Sequence, residues 1–247
     1  MKHIEAKGIY KTFVNKYNEN EVLEDITFSI DKGEFVSLIG RSGCGKTTLL
    51  RIIAGFEKVA VGEVICDGIR VLKPNMKRAY IFQDFNQLFP WKTVKENIMY
   101  PLLLSKYGNR KECAKRADEY LELIELKEYA ASYPHSLSGG MKQRVALGRA
   151  LAMQPEIILM DEPFSAVDAQ TRQHLHEELV AIWKKIKPTI IFVTHNIDEA
   201  IHLSTRVLVL NGKPAKIIEF VNNVSGNKKP NDVGYSEFWN TLFMSIE

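Results

Sequence analysis

The chain has 247 residues, with 33 basic against 30 acidic side chains, a formal charge of +3, 45% apolar residues and 26% charged ones. That length can bury a substantial interior as one large domain or a core with a subdomain, and so small a charge excess weighs against a dedicated nucleic-acid binder. No run of about 18 apolar residues suggests a membrane span, the opening MKHIEAKGIYKTF lacks the apolar stretch of a secretory signal, and the odd set Cys44, Cys66 and Cys113 has no metal-ligand spacing and fits a reducing cytoplasm.

Residues 4–30 alternate apolar and polar side chains, which predicts antiparallel strands around the polar loop NKYNEN at 15–20. EFVSLIG (34–40) reads as a buried strand ending in glycine, and KTTLLRIIAG (46–55) as a helix stopped by Gly55. GEVICDGIRV (62–71) predicts a hairpin with an Asp-Gly turn, and AYIFQ (79–83) a strand closed by Gln83. A helical section follows over roughly 84–155, with helices at 111–130 and 142–154. EIILMDEP (156–163) has the pattern of a central parallel strand, 170–187 of a helix, and TIIFVTH (189–195) of another buried strand closed by His195. RVLVLNGKPAKIIEFV (206–221) reads as a hairpin around Asn-Gly. Residues 222–234 are the best linker in the chain, and a short terminal helix is expected over 235–247, where Phe238/Leu242 and Trp239/Phe243 are i,i+4 pairs.

GRSGCGKTT (40–48) fits G-x-x-x-x-G-K-[ST] between a predicted strand and a predicted helix, the context that confirms a phosphate loop. Gly40, Gly43 and Gly45 let backbone N–H groups converge on phosphate oxygens, and the following helix start adds partial positive charge. Lys46 is placed to reach the β- and γ-phosphates, and Thr47 to offer its hydroxyl to Mg²⁺. Asp161, at the end of a buried strand, suits the same ion through water, and Glu162 can polarise an attacking water as general base. Gln83 and His195 close strands in the same manner, and parallel strands deliver such ends to one crevice. The Gln83 amide can sense the metal or the lytic water.

LSGGMKQR (137–144) is a second anion-binding pattern, nearly a hundred residues downstream. Ser138 can cap a helix, but Met141 stands where a capping box wants Glu or Gln. Gly139 and Gly140 are costly at a helix start if they only shape a turn. They make sense if bare N–H groups and the Ser138 hydroxyl must approach phosphate. One loop already serves this chain's nucleotide, so the second device points to a different nucleotide.

Taken in order, GRSGCGKTT, Gln83, LSGG, ILMDEP, SAVD (165–168) and His195 resemble the ATP-binding subunit of an ABC transporter over nearly the whole chain. QLFPWKTVKENI (87–98), with its Pro-Trp pair, is similar to importer ATPases of the nitrate/sulfonate/taurine group. The resemblance implies an α/β fold: a P-loop NTPase core with a mainly parallel sheet, an N-terminal antiparallel β region and an inserted helical subdomain. It implies an ATPase domain over 1–221 with the helical subdomain at about 84–155, then the linker and short helix.

By the same resemblance ATP is gripped by Gly40, Arg41, Ser42, Gly43, Cys44, Gly45, Lys46, Thr47 and Thr48. Glu162 activates water, His195 holds the γ-phosphate, and Gln83 links the site to a membrane partner. Ser138, Gly139 and Gly140 close on the ATP of the opposite copy, and Ser165 and Asp168 form the conserved-pattern loop after the acids. Thr47, Gln83 and Asp161 hold Mg²⁺. Phe13 sits where an adenine-stacking ring belongs, with Tyr17 as the alternative. Cys44 lies inside the loop, so thiol modification is expected to block ATP. Asp84 stands where the family commonly has Glu, and SAVD replaces the commoner Ser-Ala-Leu-Asp.

The implied partners are permease subunits docking near Gln83–Trp91, a second copy of the chain and, indirectly, a periplasmic or extracellular solute-binding protein; nucleic acid is not expected. Phe85, Leu88, Phe89 and Trp91 would line the dock if exposed. The implied place is the cytoplasmic face of the membrane, and the implied cargo a small oxyanion or sulfonate-like solute. A non-transport ABC ATPase acting on nucleic acid or ribosomes is the alternative, but the interval from Gln83 to Ser138 is too short for the long coiled-coil insertion such chains carry. A GTPase would want an Asn-Lys-x-Asp element after the loop; here NKYN precedes it.

Overall fold

Alternating apolar residues draw the start of the chain into two long paired strands, β1 (Lys2–Val14) and β2 (Glu19–Asp31). They are followed by β3 (Phe35–Gly40), α1 (Lys46–Ala54), β4 (Val61–Cys66), β5 (Ile69–Arg70) and β6 (Arg78–Ile81). A helical stretch comes next, α2 (Val94–Leu104), α3 (Arg110–Leu123) and α4 (Gly139–Ala152), then β7 (Ile157–Asp161), α5 (Ala169–Ile186) and β8 (Thr189–Val193). The chain finishes with α6 (Ile197–Leu203), β9 (Arg206–Gly212), β10 (Ala215–Asn222) and α7 (Tyr235–Ile246). This is a computed structural model, and it describes residues 2–14, 18–84, 87–165, 167–223, 232 and 234–247. The expected linker over 222–234 lies mostly outside the described residues, as do Tyr17, Phe85 and Ala166.

Two compact units are present, Met1–Asn75 with Pro188–Glu247, and Met76–Lys187. In the first, β1 pairs antiparallel with β2 (Ile4 opposite Ile30, Phe13 opposite Asn20) and with β4. The β4–β5 hairpin turns on Asp67 and Gly68, both at positive φ (49° and 74°), as an Asp-Gly turn requires. β3 pairs parallel with β8 on one side and with β9 on the other. Every residue of β3 and of β8 is buried, which is why both read as unbroken apolar runs. β10 pairs antiparallel with β9 and meets β2 in parallel at Ala215 and Leu23.

The β9–β10 turn falls at Lys213–Pro214, two residues past the expected Asn-Gly, because Ala215 pairs with Gly212. The Asn211 amide is committed elsewhere, donating to the carbonyls of Ser245 (3.1 Å) and Ile246 (3.0 Å). α7 packs Tyr235 and Leu242 into a buried cluster with Ile39, Ile197, Ala200, Ile201, Val207 and Val209.

In the second unit β6 and β7 run parallel, Ile81 opposite Met160. α2, α3 and α4 pack on one another. α2 shows little apolar periodicity because its second half is apolar nearly all round, and a capping box of Thr93 and Glu96 starts it firmly. α3 ends at Leu123, short of the expected residue 130, because Glu125 turns left-handed (φ 55°). The fold is thus α/β, with parallel strands in each unit and an antiparallel β region at the N-terminus.

Candidate functional site

The loop after β3 owes its shape to two close approaches. A Cβ on Gly40 would lie 2.2 Å from the Leu210 carbonyl oxygen. Gly45 has φ +112°, and a Cβ there would lie 2.9 Å from side-chain carbons of Val22 and of Leu23. Lys46 is buried, and its Nζ donates to the carbonyls of Gly40 (2.8 Å) and Arg41 (3.0 Å), so the ammonium is folded back across the loop. α1 starts with no side-chain cap and no acid in its first turn, leaving the positive end of its dipole uncompensated by its own sequence. Arg41, Ser42 and Gly43 are exposed, and Thr47 and Thr48 half-buried at the first turn.

Cys44 lies within the loop, on its inward side. Its thiol is buried, 3.9 Å from the Leu210 carbonyl oxygen, and burial pushes its pKa up. A protonated thiol facing the protein interior is a poor target for alkylation.

Strand register carries Phe13 toward this loop. The Val22 and Leu23 side chains that crowd Gly45 belong to β2, and Leu23 lies opposite Lys11 while Phe13 lies opposite Asn20. Phe13 is 41% exposed, with the Lys11 ammonium 4.4 Å from its ring centroid. Lys11, itself buried, is held by Glu57 (3.1 Å) and the Lys58 carbonyl (2.8 Å). Sequence reasoning missed Lys11, although a lysine among the inward positions of an alternating strand is a visible anomaly.

His195 leaves the sheet beside the loop. Leu38 and Val193 are opposite one another in parallel register, so Gly40 and His195, two residues further on, emerge at the same strand ends. β8 stops at Val193, so His195 does not close the strand as expected but sits exposed in the turn beyond it. Its neighbours fix that turn: Thr194 donates to Glu199 and accepts from the Asn196 amide (3.0 Å), and Asn196 caps α6.

In the second unit the same logic places Gln83, Asp161 and Glu162. With Ile81 opposite Met160, Asp161 ends β7, and Gln83 and Glu162 follow just beyond the neighbouring strand ends. Asp161 is buried, and the Tyr80 hydroxyl donates to its Oδ2 at 3.0 Å. Glu162 has φ 43°, a left-handed conformation that costs a β-carbon residue energy and that clusters at working sites. Gln83 is exposed, two residues past the end of β6. Gln83 and His195 alike sit two residues past the C-terminal end of a parallel strand.

Ser138 is the N-cap of α4, its hydroxyl accepting from the Met141 amide at 3.3 Å, with no acid in the first turn. The two glycines differ. Gly140 is buried and a Cβ there would lie 2.6 Å from Thr171 Cγ2, so packing against α5 already demands it. Ser138 and Gly139 are exposed. Ser165 is exposed, and Asp168 caps α5 by accepting from the Thr171 amide at 3.0 Å, a bond that holds its carboxyl below the usual range.

The aromatic stretch after Gln83 splits. Leu88 is buried and so does not line an exposed dock. Trp91 is 70% exposed, and Phe89 packs on it with ring centroids 5.6 Å apart. Phe89 also lines a groove of about 480 Å³ with Tyr80, Tyr100, Leu104, Arg149 and Met153. Arg149 fixes one wall by donating to the Gln87 carbonyl at 2.8 Å.

The family profile described as ABC transporter matches residues 23–165. The chain belongs to the ABC transporter family. It is 48% identical over 221 residues to the aliphatic sulfonates import ATP-binding protein SsuB of Bacillus cereus, covering 89% of this chain and 86% of that protein. It is 41% identical over 228 residues to the nitrate import ATP-binding protein NrtD of a Synechocystis species, covering 92% and 85%. Among solved structures, the dimeric post-hydrolysis state of the ATP-binding cassette MJ0796 bound to ADP and Pi superposes with a TM-score of 0.78 at 34% identity, over 89% of this chain and 98% of that one. CbiO1 of Clostridium perfringens, part of the ABC transporter complex cbiONQ, superposes at 0.80 with 26% identity, over 90% of each chain. The family member described here has, among its described residues, no helix long and apolar enough to cross a membrane.

Proposed function

We propose that this chain is the ATP-hydrolysing subunit of a membrane importer for a small oxyanion or sulfonate-like solute, and that two copies hold two ATP molecules between them. The observation that carries this reading is the start of α4. Ser138 and Gly139 are exposed at a helix N-terminus with no acid in its first turn, although packing explains only Gly140. Such an end favours phosphate, and the chain has its own phosphate loop at Gly40–Thr48.

In this reading the loop amides, with Lys46, bind the β- and γ-phosphates. Phe13 stacks on adenine through its exposed face, with Lys11 behind the ring. His195 binds the γ-phosphate, and Glu162 takes the proton from the attacking water. Ser138 and Gly139 of one copy complete the site of the other. A hydroxyl, a carboxylate and an amide oxygen are hard donors, so Thr47, Asp161 and Gln83 suit Mg²⁺. When bound, that ion neutralises charge on the phosphates.

The groove between Tyr80, Phe89, Tyr100 and Met153 suits a short permease helix, with Trp91 at its edge. The chain would then sit at the cytoplasmic face of the membrane, and a solute-binding protein would act through the permease. Affinity capture of the tagged chain from detergent-solubilised membranes tests this. An integral-membrane partner is expected; ribosomes or DNA in its place would contradict the importer reading.

A further inference from the structure

α7 is tied to the phosphate loop by bonds that phosphate chemistry does not require. The Arg41 guanidinium donates from Nε to the Ile246 carbonyl at 2.9 Å and from Nη2 to a main-chain oxygen of Glu247. Asn211 donates to the carbonyls of Ser245 and Ile246 at 3.1 and 3.0 Å. The last carbonyls of a helix lack intrahelical partners and carry partial negative charge. α7 has no basic residue in its own last turn, so its cation comes from the loop. At its other end the Tyr235 hydroxyl donates to Asp198, in the first turn of α6 and three residues past His195. Its buried face packs on Ile39, the residue before Gly40, and on Ile197 and Ile201.

We infer that α7 is a positioning element of the nucleotide site and that Arg41 is the positioning residue through which it acts. The Arg41 side chain is engaged with α7, while the Arg41 carbonyl accepts from Lys46 Nζ at 3.0 Å. Holding the guanidinium therefore fixes the carbonyl that aims the phosphate-binding ammonium. Asn211 sets the height of the helix end that Arg41 grips, and Tyr235 anchors the far end beside the His195 turn. This rests on the reading of Gly40–Thr48 as the ATP phosphate loop.

Equilibrium ATP binding to the whole chain, measured by titration calorimetry, tests the inference. Asn211→Leu changes no residue of the loop, yet is expected to weaken ATP about fivefold, the scale of one lost hydrogen bond. Arg41→Met is expected to weaken it at least as much, and the double variant to be no weaker than Arg41→Met alone, because both act through one contact. Circular dichroism identifies a variant that fails to fold; Tyr235→Phe then replaces Asn211→Leu, and Arg41→Lys replaces Arg41→Met. Wild-type affinity in the Asn211 variant, or losses that add in full, overturns the inference. A wild-type chain that binds no ATP overturns the phosphate-loop reading itself, a separate outcome.

Discussion

Tyr80 on β6 donates its hydroxyl to Asp161 on β7 at 3.0 Å, holding one oxygen of a buried carboxylate in place. The bond fixes the orientation of the carboxylate that the proposed function assigns to Mg²⁺. Tyr80→Phe is expected to raise the Mg²⁺ concentration needed for half-maximal ATPase activity severalfold. It is also expected to cost about 1 kcal/mol of stability, roughly 2–4 °C in melting temperature. A Mg²⁺ titration of ATPase activity beside a thermal melt checks both; an unchanged titration would mean that Tyr80 serves packing alone.

The two glycines after Ser138 separate by variant. Gly140→Ala puts a Cβ 2.6 Å from Thr171 Cγ2 and is expected to destabilise the chain by about 1–3 kcal/mol. Gly139→Asp places an acid at an exposed helix start, where it complements the dipole, so the melting temperature is expected to hold or rise. The same charge would repel phosphate, so ATPase activity is expected to collapse. Loss of stability without loss of turnover would reverse the assignment.

All three cysteines are buried, and burial raises the Cys44 pKa. Only the thiolate reacts, and a raised pKa keeps the neutral thiol dominant to higher pH than for an ordinary cysteine. Cys44 is therefore expected to react slowly with a disulfide reagent at neutral pH and faster only as pH rises through that elevated value. In denaturant all three thiols should titrate at once. Rapid labelling of Cys44 in the folded chain would contradict the buried placement.

What the sequence made legible follows from the range of the interactions. The phosphate loop, the acids at the end of β7 and the start of α4 are local signals, each a strand end or helix start with its residues contiguous. Their elements appear where the residue pattern puts them, although Gln83 and His195 sit two residues beyond their strands. Lys11, Tyr80 and the α7 contact were not legible, because they depend on register or on partners far away in the chain. Tyr80 and Asp161 are 81 residues apart, and Arg41 and Ile246 are 205 apart. The hairpin turn was misplaced for a related reason: Asn211 looks like a turn residue locally but is spent on the end of α7. Leu88 was grouped with aromatic neighbours by composition, whereas its burial depends on packing within the unit.

In the proposed function Glu162 is the general base of an ATPase that works as two copies. Glu162→Gln preserves size and hydrogen-bonding capacity but cannot accept the proton, and loss of a positioned base typically costs about 10²–10⁴-fold in rate. Light scattering of this variant, with and without ATP, is the most direct test. The account predicts a 28.2 kDa monomer that becomes a stable dimer on adding ATP, with hydrolysis nearly abolished. A variant that stays monomeric at saturating ATP, or that still turns over at the wild-type rate, would contradict it.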